Sequence, residues 1–485
     1  MRIRLTGLIA LLLLVSAYAL FTFFQEKRKN IIIISIDTLR ADHMGCYGYG
    51  RETTPGLDAF SREGVVFDHA YTQASSTLPA HSSLFTSTYP DMHGVINTKD
   101  SLPSELTTLA QLLLKKGYDT AAFVNAGWLH PKFKLDRGFR YYDFYHDLQM
   151  KFHGDKVKIG RNAEETNAAV YKWLEKHGEN PFFLFIHYFD VHSDWSRLPY
   201  DSFPPFSRMF SSGYSGDFKG GEAGVYASRY LLKLNRDRIR FDQDDRNYIV
   251  DLYDEGIASA DFHISAFLKN LKQVGLLDDS LIIITADHGE EFQEHGQFLH
   301  EQAYEELIHV PLIIRMPNAE NPVKRNPGER LLSLFKKRKK VFPANRVKTL
   351  VQSIDIMPTV LDVAGIEKPP YVRGRSLLKM INAMSAESTY IFSRNTSGTQ
   401  YAVRKDAWKL FFFPAENKTA LYNIAADPAE TNDLSGTEIK IREKLKKVLF
   451  QWKTECEEIQ SRCKADKIEI DDTTKEELRS LGYIE

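Results

Sequence analysis

The segment Asn30–Ile36 reads NIIIISI, and that run constrains the fold more than any other feature of the chain. A strand with one face in water alternates apolar and polar residues, whereas a strand apolar at nearly every position is covered on both faces. The run therefore predicts a central strand of a parallel sheet with helices above and below it. Residues 281–285 (LIIIT) and 182–189 (FFLFIHYF) repeat the pattern, and stretches of helical spacing such as 106–116 lie between them. This alternation predicts an α/β fold, a large mixed, mostly parallel sheet flanked by helices, with ligands bound beyond the carboxyl ends of the strands.

From about residue 347 the pattern changes. Residues 401–413 predict a hairpin and 439–454 a terminal amphipathic helix, together a smaller C-terminal α+β unit. The expected division is 1–29 as an N-terminal leader, 30–346 as the main α/β domain and 347–485 as the smaller unit. Residues 195–224 and 318–346 read as long loops. The second contains GERLLSLFKKRKKVFPANR, either a solvated charge run or a segment lying on an anionic membrane surface.

The leader is apolar. Residues 5–24 carry no charge and follow Arg2 and Arg4, which is long enough to span a bilayer. Lys27, Arg28 and Lys29 favour a transmembrane signal anchor over a signal peptide cleaved near Ala17 and Ala19. Either reading puts the body outside the cytoplasm, periplasmic in a bacterium, with the membrane as a partner through the N-terminal segment. A net charge of −1 offers no bulk basic surface, so no nucleic-acid partner is expected. The three cysteines, Cys46, Cys456 and Cys463, form no CxxC zinc motif, and Cys456 and Cys463 fit equally a disulfide or two thiols. Oligomeric state leaves no signature here.

Chemistry gathers where the apolar runs end. Asp37 closes the first in SIDTLRADHMGCYGY, and Asp287 with His288 closes another in ITADHGEEFQEHG, placing metal-ligand chemistry at two strand ends. Between them, SSTLPAHSSLFTSTYPDMHGV puts Thr77 at a loop-to-helix junction, where free backbone N–H groups favour an anion.

These strings resemble the sulfatase family of the alkaline phosphatase superfamily, whose nucleophile motif runs C/S-x-P-S-R-x-x-L-x-T-G. The corresponding residues here are Thr77 to Ser87, and HYFDVH (187–192), LYDEGIASAD (252–261), HEQAYEELIHVPLII (300–314), QSIDIMPTVLDVAGI (352–366) and the closing LGYI resemble further family landmarks. The resemblance implies a sulfatase-like catalytic domain in which Asp37, Asp287 and His288 hold one divalent cation, of calcium, magnesium, manganese or zinc. Thr77 would join them as both ligand and nucleophile. His192 and His300 would serve the leaving group, and a second metal could use Asp190, His192, Asp194 and His300.

The departures from the motif carry as much weight. Family members oxidise the motif cysteine or serine to formylglycine. Threonine is not converted that way, so no formylglycine is expected and an adduct on Thr77 must be opened by water or an acceptor. The motif arginine is His81, which stands between a catalytic and a structural role, and Thr38 replaces a frequent second metal-binding aspartate. The resemblance thus implies a metal-dependent hydrolase or transferase of phosphate or sulfate esters, with phosphoryl chemistry favoured. A true sulfatase using unmodified Thr77 and an inactive binding protein are the alternatives. His93, His130, His295 and His309 are expected to be structural.

Overall fold

The computed structural model describes residues 28–97, 99–125, 127–145, 151–153, 156–158, 161–193, 198–220, 227–318, 345–383, 388–461 and 463–468, together with residue 475. Eight strands build the main sheet: β1 (Asn30–Ile36), β2 (Val65–Phe67), β3 (Asp119–Val124), β4 (Tyr141–Phe144), β5 (Phe182–Tyr188), β6 (Ser280–Thr285), β7 (Leu312–Arg315) and β8 (Asn345–Val347). Their order is β8-β2-β7-β6-β1-β5-β3-β4. Only β7 runs against its neighbours, so the sheet is mixed and mostly parallel, with β1 at its centre, as the apolar run requires.

Helices cover both faces: α1 (Pro55–Ser61), α2 (Thr77–Thr86), α3 (Leu109–Lys115), α4 (Ala163–His177), α5 (Gln243–Gln273) and α6 (Ile356–Val363). Because side chains alternate along a strand, β1 feeds two cores at once. Ile32 and Ile34 pack with α1, α4 and α5 through residues such as Leu57, Trp173 and Ile264. Ile31 and Ile33 pack with α2, α3 and α6 through Leu84, Leu109 and Met357. The helix expected over 106–116 begins at Leu109, because Thr108 and Gln111 form a reciprocal cap there.

After residue 388 a separate antiparallel sheet follows, β9 (Ile391–Arg394), β10 (Tyr401–Lys405), β11 (Trp408–Phe413) and β12 (Lys418–Asn423). The terminal helix α7 (Ile439–Gln460) packs on it through Leu445, Leu449 and Trp452. Cys456 is buried as a free thiol.

The membrane expectation needs correction. Among the described residues no helix is long and apolar enough to cross a membrane, which stands against the transmembrane and signal-anchor reading. The longest, α5, spans 31 residues but carries charged side chains throughout, beginning with Asp244, Asp245 and Arg246. Residues 5–24 lie outside the described residues, as do Asp194 and most of the basic loop.

Candidate active site

One face of the sheet changes character along its strands. β1 lies between β6 and β5, both parallel to it, with Ser35 level with Thr285 on one side and His187 on the other. Below that level the same face presents Ile31, Ile33, Phe183, Phe185, Leu281 and Ile283, all apolar and all in the core shared with α2. At the rim it presents Ser35, His187 and Thr285. One alternation further come Asp37 and Asp287. Register therefore brings two distant carboxylates side by side, and both are buried.

The helix α2 supplies the third element. Ser76 precedes it in extended conformation and Thr77 is its first residue, so the helix's unpaired N–H groups lie at the rim. Thr77 is buried rather than surface-facing. Its Oγ1 stands 3.3 Å from Nε2 of His288. That nitrogen also lies 3.7 Å from Asp37 and 3.5 Å from Asp287. The other ring nitrogen, Nδ1, sits 2.9 Å from the Gly289 carbonyl and can only donate to it, which leaves Nε2 as a lone pair facing the carboxylates. Asp37, Asp287 and His288 each offer a ligand atom, all within 4.8 Å of one another.

Electrostatics sharpen this picture. Burial, followed by the neighbouring Asp37 charge, pushes Asp287 up to about 6. Burial and then the nearby His300 hold His288 well below the ordinary histidine range, so it is neutral. Two carboxylates facing each other in a buried pocket, with Asp287 Oδ2 accepting no hydrogen bond, fit a divalent cation better than they fit one another.

His81 occupies the place of the motif arginine and is fully hydrogen-bonded. Nδ1 donates to the Thr77 carbonyl at 2.8 Å, and Nε2 accepts from Ser35 at 3.1 Å. It ties the first turn of α2 to β1, and burial holds it down to about 4, hence neutral. Thr38 adopts a left-handed φ of 56° and donates its N–H to Asp287 at 3.3 Å. Of the neighbouring hydroxyls, Ser76 accepts from Thr396 at 2.6 Å, so it is already engaged.

His192 and His300 face each other across 5.9 Å between ring centroids, and His300 lies 4.5 Å from the His288 ring. Both line a cavity of about 550 Å³ together with Ser76, Leu78, Trp128 and Arg394. Asp190 instead accepts from the Ala163 N–H at 2.9 Å, at the start of α4. Among the described residues no group with ligand spacing contains Asp190, His192 or His300, and Asp194, the remaining member of the expected second-metal set, lies outside them. His93 and His309 hydrogen-bond Ser83 and the Asp68 carbonyl, and both are structural.

Two residues escaped the sequence reading. Glu290 is buried 3.5 Å from Nδ1 of His300. Burial pulls His300 down, but the close approach and charge of Glu290 outweigh it and raise it above the ordinary histidine value. His187 is fully buried with Nε2 3.4 Å from Asp37. Its signal was the alternation inside FFLFIHY, which needs the pairing register before it can be read. Glu290 had only its position two residues after His288.

Residues 29–366 match the family described as Sulfatase, and residues 327–455 match N-sulphoglucosamine sulphohydrolase, C-terminal. An N-acetylglucosamine-6-O-sulfatase of Bacteroides thetaiotaomicron is 23% identical over 85% of this chain and 83% of its own length. A protein solved in complex with its substrate D-glucosamine-2-N,6-O-disulfate superposes with a TM-score of 0.66 at 21% identity, covering 91% of this chain and all of that one. The phosphonate monoester hydrolase of Agrobacterium radiobacter gives a TM-score of 0.66 at 19% identity, covering 92% and 99%.

Proposed function

The chain belongs to the sulfatase family, and from that premise we propose that it cleaves phosphate or sulfate esters through a covalent adduct on Thr77, with phosphoryl transfer favoured. One observation carries the reading. The Thr77 hydroxyl lies at the start of a ten-residue helix, 3.3 Å from the lone pair of His288 and beside two buried carboxylates. Those residues fit a divalent cation, since Asp287 Oδ2 is buried without a hydrogen-bond donor. Asp37, Asp287, His288 and the Thr77 hydroxyl would hold it. When bound, such an ion neutralises the carboxylates and lowers the pKa of the hydroxyl.

The chain's own groups then divide the work. Thr77 Oγ1, its proton already released to solvent water, attacks phosphorus as the alkoxide, the form in which it later leaves, and the bond from phosphorus to the ester oxygen breaks. The helix N-terminus stabilises the charge on the transferred group. His300, with Nδ1 turned to Glu290, gives a proton from Nε2 to the departing alcohol. In the second half water attacks the phosphorus of phospho-Thr77, Nε2 of His300 accepts the water's proton, and the Thr77 oxygen leaves. His81 keeps the first helical turn against β1 while this happens.

A sulfate ester is the second reading, favoured by the sulfated sugar bound in the structural relative. The formylglycine elimination route is closed at Thr77, and this supports phosphate over sulfate. Matched aryl phosphate and aryl sulfate esters at saturating metal decide between them. A higher kcat/KM for the phosphate is expected, whereas faster sulfate cleavage overturns the preference and turnover of neither supports a binding protein. The family also supports an extracytoplasmic location, which we include in the proposal.

A further inference from the structure

Beyond the catalytic groups, a second cluster of ligand-type side chains surrounds the short hairpin Glu291–Phe292 and Phe298–Leu299, whose end leads into His300. His295 sits in its turn, held by stacking on Tyr304 with ring centroids 3.5 Å apart. Its Nε2 lies 3.6 Å from Glu306 Oε1. His295, Glu306 and Glu430 each offer a donor atom, all within 4.8 Å of one another. Donors bonded to zinc at 2.0–2.1 Å stand roughly 3.4 Å apart in a tetrahedron, so the spacing is that of a cation site before the last contraction.

The local charges do not balance. Arg40 pairs with Asp42 at 2.8 Å and Glu294 at 2.6 Å. Arg404 pairs with Glu305 at 2.6 Å. Lys409 bridges Glu305 and Glu430 at 3.1 and 3.0 Å. Glu291 is satisfied by neutral donors, the Glu301 N–H and the Gln302 amide, at 3.1 and 2.8 Å. Glu306 is left over. Its side chain is only 8% exposed, and Oε1, aimed at His295, accepts no hydrogen bond. Burial and the charges of Glu294 and Glu430, partly opposed by Arg40, push it up to about 8.

Glu430 is already oriented. Its carboxylate is fixed by Lys409 and by the Glu305 N–H at 2.7 Å, the kind of outer support that ligating carboxylates receive. His295 is held down to about 4, chiefly by burial, and so keeps a lone pair. We propose that His295, Glu306 and Glu430 form a second, structural site for a divalent cation, zinc or manganese by its one nitrogen and two carboxylate donors. The bound ion ties the hairpin leading to His300 to the segment that follows β12. The rival explanation is a proton on Glu306.

The experiment uses the full chain carrying Asp37→Asn and Asp287→Asn, stripped with a chelator and titrated with Zn²⁺ and with Mn²⁺ by calorimetry and elemental analysis. One equivalent of metal is expected, with a rise in Tm, and adding Glu306→Gln, which mimics the protonated acid, should abolish both. No bound metal in the background variant, or the same stoichiometry after Glu306→Gln, would overturn the site. Should the background variant fail to fold, the parent is compared with His295→Asn and Glu306→Gln. The loss of one equivalent in each supports the site, and an unchanged count in either contradicts it. Failure of the catalytic reading would remove the other equivalent and leave this one, so the two outcomes are separable.

Discussion

The lower and upper parts of one sheet face differ more than the two faces of the sheet do. At the lower levels Ile31, Ile33, Phe183, Phe185, Leu281 and Ile283 share an apolar core with side chains of α2, α3 and α6. At the rim the same strands present Ser35, His187, Thr285, Asp37 and Asp287, all buried. Along the strands the odd positions turn from apolar to polar, and Asp37 and Asp287 follow just past the strand ends at Ile36 and Thr285. A buried apolar base holds the rim in register, and a buried polar rim carries charge that the base would not tolerate. Stability should therefore follow the base and turnover the rim.

The comparison can be broken from either end. Thr77→Ala should have the largest effect, lowering kcat by at least about 10³-fold while Tm stays within a few degrees. Near-parental turnover would take Thr77 out of the chemistry. Ile33→Ala at the base should do the reverse, costing about 2–5 kcal/mol in a denaturant titration and leaving kcat per folded molecule little changed. A collapse of kcat with unchanged stability would erase the division between base and rim.

His187→Leu sharpens the rim. Its ring lies 3.4 Å from Asp37, so its loss should weaken divalent-metal affinity by about 10–100-fold, as outer-layer ligands typically do, with His187→Asn recovering part. Equal calorimetric affinity in a folded His187→Leu chain would leave His187 as filler.

The smallest effect belongs to the opposite face. There Asp261 of α5 accepts the N–H groups of Gly56 and Leu57 at 2.9 and 2.6 Å. Burial raises Asp261 to about 6, above its unfolded value, so its contribution is complete below pH ~4 and fades as pH rises through about 6, by at most about 3 kcal/mol. In chelator-treated protein, Asp261→Asn should flatten that part of the stability curve relative to the parent. An unaltered slope would place the titration elsewhere.

Much of this was legible in the residues. The run NIIIISI announces β1 with its bounds, and Asp37, Asp287 and His288 stand where buried strands end, which in a parallel sheet is where ligands bind. Thr77 followed from its loop-to-helix junction. His187 was hidden because an apolar strand conceals which residues share a face until its partners fix the register. Glu290 meets His300 only once the hairpin between them closes, and the cluster of His295 and Glu306 is completed by Glu430 from the distant segment after β12. The N-terminal apolar stretch looked like the plainest signal, yet among the described residues no helix could cross a membrane.

The central claim is that Thr77 carries the transferred group. It is tested most directly by mixing metal-loaded enzyme with an aryl phosphate, quenching in acid within one turnover, and mapping the label by peptide mass spectrometry. The account predicts a single phosphoryl group on Thr77, lost in Thr77→Ala. A label on Ser75 or Ser76, or product release with no labelled enzyme at any time in the turnover, would contradict it.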